Sequence, residues 1–567
     1  MRFKKTKNAV SVHAITGTHV VMLGLDMPED HTADLLGFAI HRTDPVENEA
    51  YWLTGMRTFE ASYPNPPNGA LVSTLEHPIQ DFLWSDFTAK PGRKYTYKVV
   101  PVSGQPKNLK YGAGVSLEVE TEKEASGKHS VYFNRGVIGS QAYARKFKVS
   151  PSELTGAKKI AAYEWLSRGL FEAIRDFLGQ AADESFGIRA AVYEFSYEPV
   201  IEAFAQAQTN CKDVEIIFDA RIPTKHDGTP DPEHKNRVDA VKKLLKTHGL
   251  TDVATPRTRD ANYISHNKFI ILMKNQEPVA VWTGSTNFSE SGIFGHANVG
   301  HLVRDKHVAA RYLAYWERLK ADPLAKDDLQ PANDRASPTL VGFPPPAGIT
   351  TIFSPRADLG QLQWYGTAMD GATNLDCFTA AFGVNKIFRE VFKENKDYLR
   401  YVFLEKWGVT DKTAKETEAD LSNDRDIQVA VGAVLKDQVL YHWLREFPNT
   451  LSRNIRFVHT KFMLVDPLGT DPIVISGSAN FSDTSTREND ENMLIVRGDK
   501  RTADIYLGEF LRLWRHHRFR FIVNKINAQT GTVEGHNYLD PTANWTKSFY
   551  KTGAVKFKRR TTFAPTS

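Results

Sequence analysis

Cysteine is nearly missing from this chain: 567 residues hold two, Cys211 and Cys377, far apart in sequence. That excludes a disulfide framework and a CxxC redox or zinc site, and it favours a reducing compartment. Long apolar runs are missing as well. The opening MRFKKTKNAV has the basic start of an export signal, but the apolar stretch after it, Val20 to Leu25, is broken by Gly24 and closed by Asp26. It is too short for a signal core, and nothing later approaches the roughly 20 apolar residues of a membrane span. The expected location is the cytoplasm. Charge of one sign is also scarce. With 72 Lys and Arg against 67 Asp and Glu the net charge is +5, which suits an anionic substrate but is too even for a tract-like nucleic-acid binder. HExxH, His-x-His and GxSxG motifs do not occur, so neither a metal, nor another cofactor, nor a serine-hydrolase nucleophile is expected.

What is there is an ordinary soluble composition, 41% hydrophobic and 25% charged, over a length that implies three or four domain-sized units. Residues 1–125 read as β-rich. HVVMLGL, GFAIHRT, YTYKVVPV and VSLEVETE are candidate strands, and the alternation Tyr95, Tyr97, Val99 after Pro91-Gly92 resembles a fibronectin III or immunoglobulin-like sandwich strand. Such modules often bind an unrelated protein partner, and no catalytic role is assigned to this one. KEASGKH, residues 123–129, reads as a linker.

From about 130 the texture becomes alternating helix and strand. AAYEWLSRGLFEAIRDFLGQA reads as one long amphipathic helix, and RAAVYEF, VEIIFD, KFIILM and AVWTG read as buried strands joined by helices such as EPVIEAFAQA and RVDAVKKLLKTHG. NLDCFTAAF, DIQVAVGAV, FVHTKFMLV and PIVISG repeat the plan, with NKIFREVFKEN and DQVLYHWLREF as helices. LQPANDRASPTLVGFPPPAGIT reads as the segment crossing between the halves. The economical division is a sandwich (1–125), two α/β lobes (130–330 and 348–545) and a basic, solvated C-terminal tail (546–567).

Within the halves an eight-position pattern occurs twice. His266, Lys268, Phe269, Gly284, Ser285, Asn287, Phe288 and Ser289 recur 193 residues later as His459, Lys461, Phe462, Gly477, Ser478, Asn480, Phe481 and Ser482. On a strand, His and Lys two residues apart share a side. The imidazole can attack or donate a proton near neutral pH, and the ammonium can hold a phosphoryl oxygen. The Gly-Ser-x-Asn turns add neutral donors, the glycine letting backbone approach a ligand. One HxK pair on a strand is usually a satisfied surface pair; two, with both turns at identical spacing, point to one site built from two halves.

HxKxxxxD followed by GSxN, in duplicate, resembles the phospholipase D superfamily over roughly residues 130–545. The resemblance implies two lobes about a pseudo-twofold axis in a monomer, a metal-free site at their seam, and a covalent phosphohistidine. Carried over residue by residue, His266 is the nucleophile and His459 the general acid. Lys268, Lys461, Asn287 and Asn480 hold phosphate oxygens, supported by Ser285, Ser478, Gly284, Gly477 and Asp466. The first copy departs twice: Met273 stands where the second has Asp466, and Asn298 where the second has Glu491. Glu491 is expected to orient the nucleophile across the seam, and Asn298 to act only as a neutral acceptor. Three readings follow: hydrolysis of a phospholipid headgroup diester, which is favoured; a nuclease on the same scaffold; or a degenerate phosphate-binding protein.

Overall fold

The computed structural model describes residues 1–67, 70–136, 141–225, 227–258, 263–321, 326–432, 457–530 and 538–564. The N-terminal part is all-β. Strands Arg2–Lys7, Val10–Thr16, Val21–Asp26 and Leu83–Asp86 form one antiparallel sheet, and Asn108–Tyr111, Lys94–Gln105, Gly37–Asp44 and Glu49–Trp52 a second, with Val115–Glu120 also on Lys94–Gln105. Val12, Leu23, Phe38, Tyr97 and Val99 fill a shared core, as a sandwich requires. The basic opening of the chain is the first strand of this module, held by the ion pair Arg2–Asp504 at 2.9 Å.

The remainder is two seven-stranded mixed sheets with the same strand order. In the first lobe the order is His129–Phe133, Val299–Val303, Glu277–Gly284, Lys268–Lys274, Phe186–Val192, Val214–Asp219, Ala254–Arg257. In the second it is Gly348–Ser354, Glu491–Arg497, Ile473–Gly477, Phe462–Val465, Leu375–Ala380, Leu399–Leu404, Ile427–Val431. The last three strands of each are parallel and joined by helices, Glu198–Cys211 and Pro232–Thr247 in one lobe, Lys386–Lys393 and Asp411–Ser422 in the other. Both motif strands are buried up to the exposed Lys274 that ends the first, which is why FIILM and FMLV read as unbroken apolar runs.

The lobes exchange edges. Phe353, on the edge strand of the second lobe, stacks on Tyr315 of the first-lobe helix Lys306–Ala321 at 4.4 Å. Phe133, on the edge strand of the first lobe, packs on Tyr506 of the second-lobe helix Lys500–Thr530 at 5.3 Å. Each lobe's core is therefore completed by the other, and the seam is a hydrophobic interface rather than a hinge.

Four sequence expectations need correction. The long helix is two, Gly156–Ser167 and Leu170–Leu178, because Arg168 and Gly169 both take left-handed conformations (φ 48° and 88°). The crossing segment begins as a helix, Lys326–Ala336, despite Pro331. The linker at 123–129 ends inside the first lobe, with His129 opening its edge strand. The C-terminal segment is not a solvated tail. Its helix Val555–Phe563 lies on the sandwich so closely that a Cβ on Gly24 would meet the Phe563 carbonyl at 2.2 Å. Arg559 and Arg560 are committed to the sandwich acids Asp81 and Asp26, and Lys558 to Asp397 and Asp426 of the second lobe. DQVLYHWLREF lies outside the described residues.

Candidate active site

The motif strands begin one or two residues later than alternation predicts. Lys268 opens its strand, whereas His266 precedes it; in the second lobe the strand starts at Phe462, after both His459 and Lys461. The histidines thus stand on the approach to each strand, where the backbone crosses the seam. There the two halves hydrogen-bond reciprocally. His266 N–H donates to Asp490 O (3.1 Å) and Asp490 N–H to Ile264 O (3.0 Å). His459 N–H donates to Ala297 O (3.1 Å) and Ala297 N–H to Phe457 O (2.9 Å). Each pair maps on the other by the 193-residue offset, so a pseudo-twofold axis runs between the histidines.

The side chains cross the same axis. His266 Nδ1 lies 2.9 Å from both carboxylate oxygens of Glu491, and His459 Nδ1 lies 2.9 Å from Asn298 Oδ1. Glu491, at the end of the acidic run 488–491, is fully buried. The tautomers follow. Asn298 Nδ2 must donate to Gly292 O (2.6 Å), so Oδ1 faces His459 and the proton on that imidazole sits on Nδ1. The Glu491 carboxylate fixes the same tautomer on His266. Both Nε2 atoms are left for chemistry.

Each motif serine positions the orienting residue rather than a ligand. Ser285 Oγ donates to Asn298 Oδ1 at 2.9 Å and accepts Val299 N–H at 3.1 Å. Ser478 accepts Asn492 N–H at 3.0 Å and donates to the Glu491 carboxylate. The motif glycines answer a steric demand from the next strand: a Cβ would sit 2.3 Å from Val299 O at Gly284 and 2.2 Å from Asn492 O at Gly477. Each lysine donates to the carbonyl of its own histidine, Lys461 at 2.7 Å to His459 O and Lys268 likewise to His266 O. That spends one of three N–H donors. The amide oxygens of Asn287 and Asn480 are buried without a hydrogen-bond partner.

Burial sets the protonation. It drives the His266 imidazole down to about 4 against the pull of Glu491, and Lys268 down to about 8. His459 and Lys461 also fall well below their ordinary values, through burial and then their cationic neighbours. Burial alone would raise Glu491, but the His266 imidazole and Lys268 outweigh it and hold the carboxyl below its usual range. At neutral pH the unliganded site has two neutral imidazoles.

One predicted site residue stands elsewhere. Asp466 follows the far end of its strand, Phe462–Val465, the fourth of seven in its sheet, about 16 Å of extended chain from Lys461. Its carboxylate accepts N–H groups of Thr373, Asn374 and Leu375 at 2.7–3.2 Å, capping the turn before the central strand. Met273 fills the corresponding place with apolar packing, 5% exposed among Phe269, Tyr312 and Trp316. The exchange of Asp for Met is a matter of local packing.

Sequence reasoning missed three residues at the site. Tyr193, just past its strand, places its ring 4.9 Å from His266 and 5.0 Å beneath the Lys268 ammonium. Glu194 accepts Ser289 Oγ–H at 2.8 Å and bonds the Asn287 amide. His296 lies ring to ring with His459 at 4.8 Å. The available signal was positional: Tyr193 and Glu194 follow the carboxyl end of a parallel strand, where open α/β sheets gather functional groups.

The site is a two-lobed seam presenting two imidazoles and two ammonium groups inward. Two regions, 174–320 and 409–514, match the family model described as "Cardiolipin synthase, PLD-like domain". Those regions lie one in each lobe, and over them the lobes match a phospholipase D-like domain. Among solved structures the chain is similar to a polyphosphate kinase from Porphyromonas gingivalis (13% identity, TM-score 0.35, 59% of this chain) and spans less than half, 46%, of that protein. It is similar to a phosphatidylserine synthase from Haemophilus influenzae (10% identity, TM-score 0.43, covering 70% of this chain and 94% of that one). It is also similar to Nuc, a phospholipase D family member from Salmonella typhimurium (16% identity, TM-score 0.22, 30% and 93%). No curated protein matches the sequence. Among the described residues, no helix is long and apolar enough to cross a membrane.

Proposed function

We propose that the protein is a phosphodiesterase that works through a phosphohistidine on His266. The observation that carries this is the crossed pairing: the carboxylate on one imidazole and the neutral amide on the other give two identical groups unequal basicity. Glu491 stabilises the cation that His266 becomes when its Nε2 bonds phosphorus. As the P–N bond forms, the bond from phosphorus to the leaving oxygen breaks, and a proton on His459 Nε2 passes to that oxygen. In the second step water bonds phosphorus, its proton goes to His459, and the P–N bond breaks. Lys268, Lys461 and the side-chain amides of Asn287 and Asn480 hold the non-bridging oxygens through both steps. An alcohol in place of water would turn hydrolysis into transfer.

The favoured substrate is a phosphatidyl diester. The printed description of the matching family model, a cardiolipin synthase-like domain, supports that choice. The test is incubation in EDTA with labelled phosphatidylcholine or phosphatidylglycerol and, separately, single- and double-stranded DNA. Turnover of lipid is expected. Turnover of DNA alone would move the assignment to a nuclease, loss of activity in EDTA would overturn the metal-free reading, and no turnover of any diester would leave a phosphate-binding protein.

A further inference from the structure

The mechanism asks the buried His459 to start as an acid, yet its surroundings favour the neutral imidazole. Facing it are Lys461 from its own segment, Lys268 and His266 across the axis, His296 against its ring and Asn298 on Nδ1. Every one of these is neutral or positive, so a proton on Nε2 needs negative charge from another source. Glu491 is committed to His266. Buried Asp219, which also acts on Lys268, is balanced by its ion pair with Arg237 at 2.8 Å. The remaining carboxylate at the site is the half-buried Glu194. It is tied down by Ser289 and Asn287, it acts on both lysines, and His296 stands close enough to hold it ionised.

Charge counting gives the consequence. Two ammonium groups and two carboxylates cancel. A bound phosphodiester adds one negative charge, and one imidazolium restores balance. Without Glu194 the two lysines, Glu491 and the phosphodiester would already be neutral, and nothing would favour the proton on His459. This arrangement exists in one half only. By strand register Val192 lies beside Lys268, and continuing the Phe378–Met463 pairing puts Ala380 beside Lys461. Phe382, 43% exposed, is thus the second-lobe counterpart of Glu194. The 193-residue offset puts Asn489 opposite His296.

We propose that Glu194 is a positioning residue that keeps the general acid His459 protonated when the phosphodiester is bound. The proton enters from solvent with the substrate, resides on His459 Nε2 beside His296, and leaves on the departing alcohol. The inference rests on the function proposed above.

The test uses the full chain and two diesters. In bis(p-nitrophenyl) phosphate the nitrophenolate departs without a proton; in an alkyl diester (dihexanoylphosphatidylcholine, or a dithymidine phosphate if the wild type prefers it) the leaving alkoxide needs one. In Glu194→Gln, kcat on the alkyl diester should fall at least about tenfold further than on the aryl diester. The upper pH limb of kcat/KM for the alkyl diester should move down by about one unit. Glu194→Asp, which keeps the negative charge, should hold both readouts near the wild type and guards against misfolding of the first variant. Equal losses on both diesters with an unmoved pH limb in Glu194→Gln would overturn the proposal. Wild-type failure on every diester would instead overturn the underlying function.

Discussion

His266 and His459 occupy the same place in two copies of one fold, and each takes its orienting partner from the other copy. The backbone around them is symmetric to the level of individual hydrogen bonds across the axis. The charges are not. His266 has the Glu491 carboxylate on Nδ1 and the Tyr193 ring beside it, whereas His459 has the Asn298 amide and the His296 ring. Duplication supplied the geometry for holding a phosphate between two lysines. Substitution at a few positions, none of them in the HxK or GSxN motifs, then made the two imidazoles chemically unequal. Because each partner is donated across the seam, neither lobe alone contains a complete histidine.

The comparison breaks most severely if the histidines are interchangeable. His266→Ala should abolish turnover of every diester, a loss of at least about 10⁴-fold, and no phosphoenzyme should be trapped on rapid denaturing quench. His459→Ala should lose about 10²–10⁴-fold on alkyl diesters, less on aryl ones, and should still accumulate phosphoenzyme. A phosphoenzyme that persists in His266→Ala and vanishes in His459→Ala would reverse the roles.

Next in size are the orienting residues. Glu491→Gln keeps the shape but removes the charge that stabilises His266 as a cation, and a loss of about 10²–10³-fold in kcat is expected on both leaving groups. Asn298→Asp makes the halves alike. It should raise the His459 pKa by about one to two units, and move the upper pH limb of activity upward. If neither variant moves a pH profile, the inequality of the two halves has no chemical meaning.

The motif residues and the duplicated sheets were legible in the sequence because both leave local marks. Buried strands such as KFIILM and PIVISG are unbroken apolar runs, and the HxK and GSxN residues sit at fixed offsets within one strand–turn unit. What could not be read is what depends on the axis. Nothing in GHANVGHLV says that Asn298 reaches His459 rather than His266, since that follows from which strands the two lobes bring face to face. Glu194 was invisible for a related reason: one acidic residue after a strand becomes significant only when Ser289, Asn287 and His296 converge on it. The breaks at Arg168–Gly169 and the docking of Val555–Phe563 on the sandwich are tertiary choices that override local periodicity and local charge. Asp466 shows the reverse error, since a motif position was credited with chemistry when it caps a turn.

A smaller effect reads the burial of His459 directly. Burial holds its folded pKa well below the ordinary 6.5 of a histidine, so just below pH 6.5 the unfolded chain binds the extra proton. That histidine's contribution to stability is therefore fully present above pH 6.5 and is lost as the pH falls. Relative to His459→Gln, the wild type should lose stability more steeply as the pH falls below 6.5, by up to about 1.4 kcal/mol per pH unit, measured as urea midpoints. Parallel curves for the two proteins would mean that the imidazole is solvated and the site open.

The smallest effect concerns the difference that looked largest in sequence, Asp466 against Met273. If Asp466 only caps the turn at 373–375, Asp466→Asn keeps the side-chain shape but weakens up to four N–H contacts at 2.7–3.2 Å. Stability should drop by about 1–3 kcal/mol in urea denaturation, while kcat on the nitrophenyl diester stays within about threefold. The cap is partly exposed, so water can take over some of these contacts, which places the expected value toward the low end. A large fall in kcat with unchanged stability would return Asp466 to the site. It would also make the missing carboxylate at Met273 a functional asymmetry, added to the one between Glu491 and Asn298.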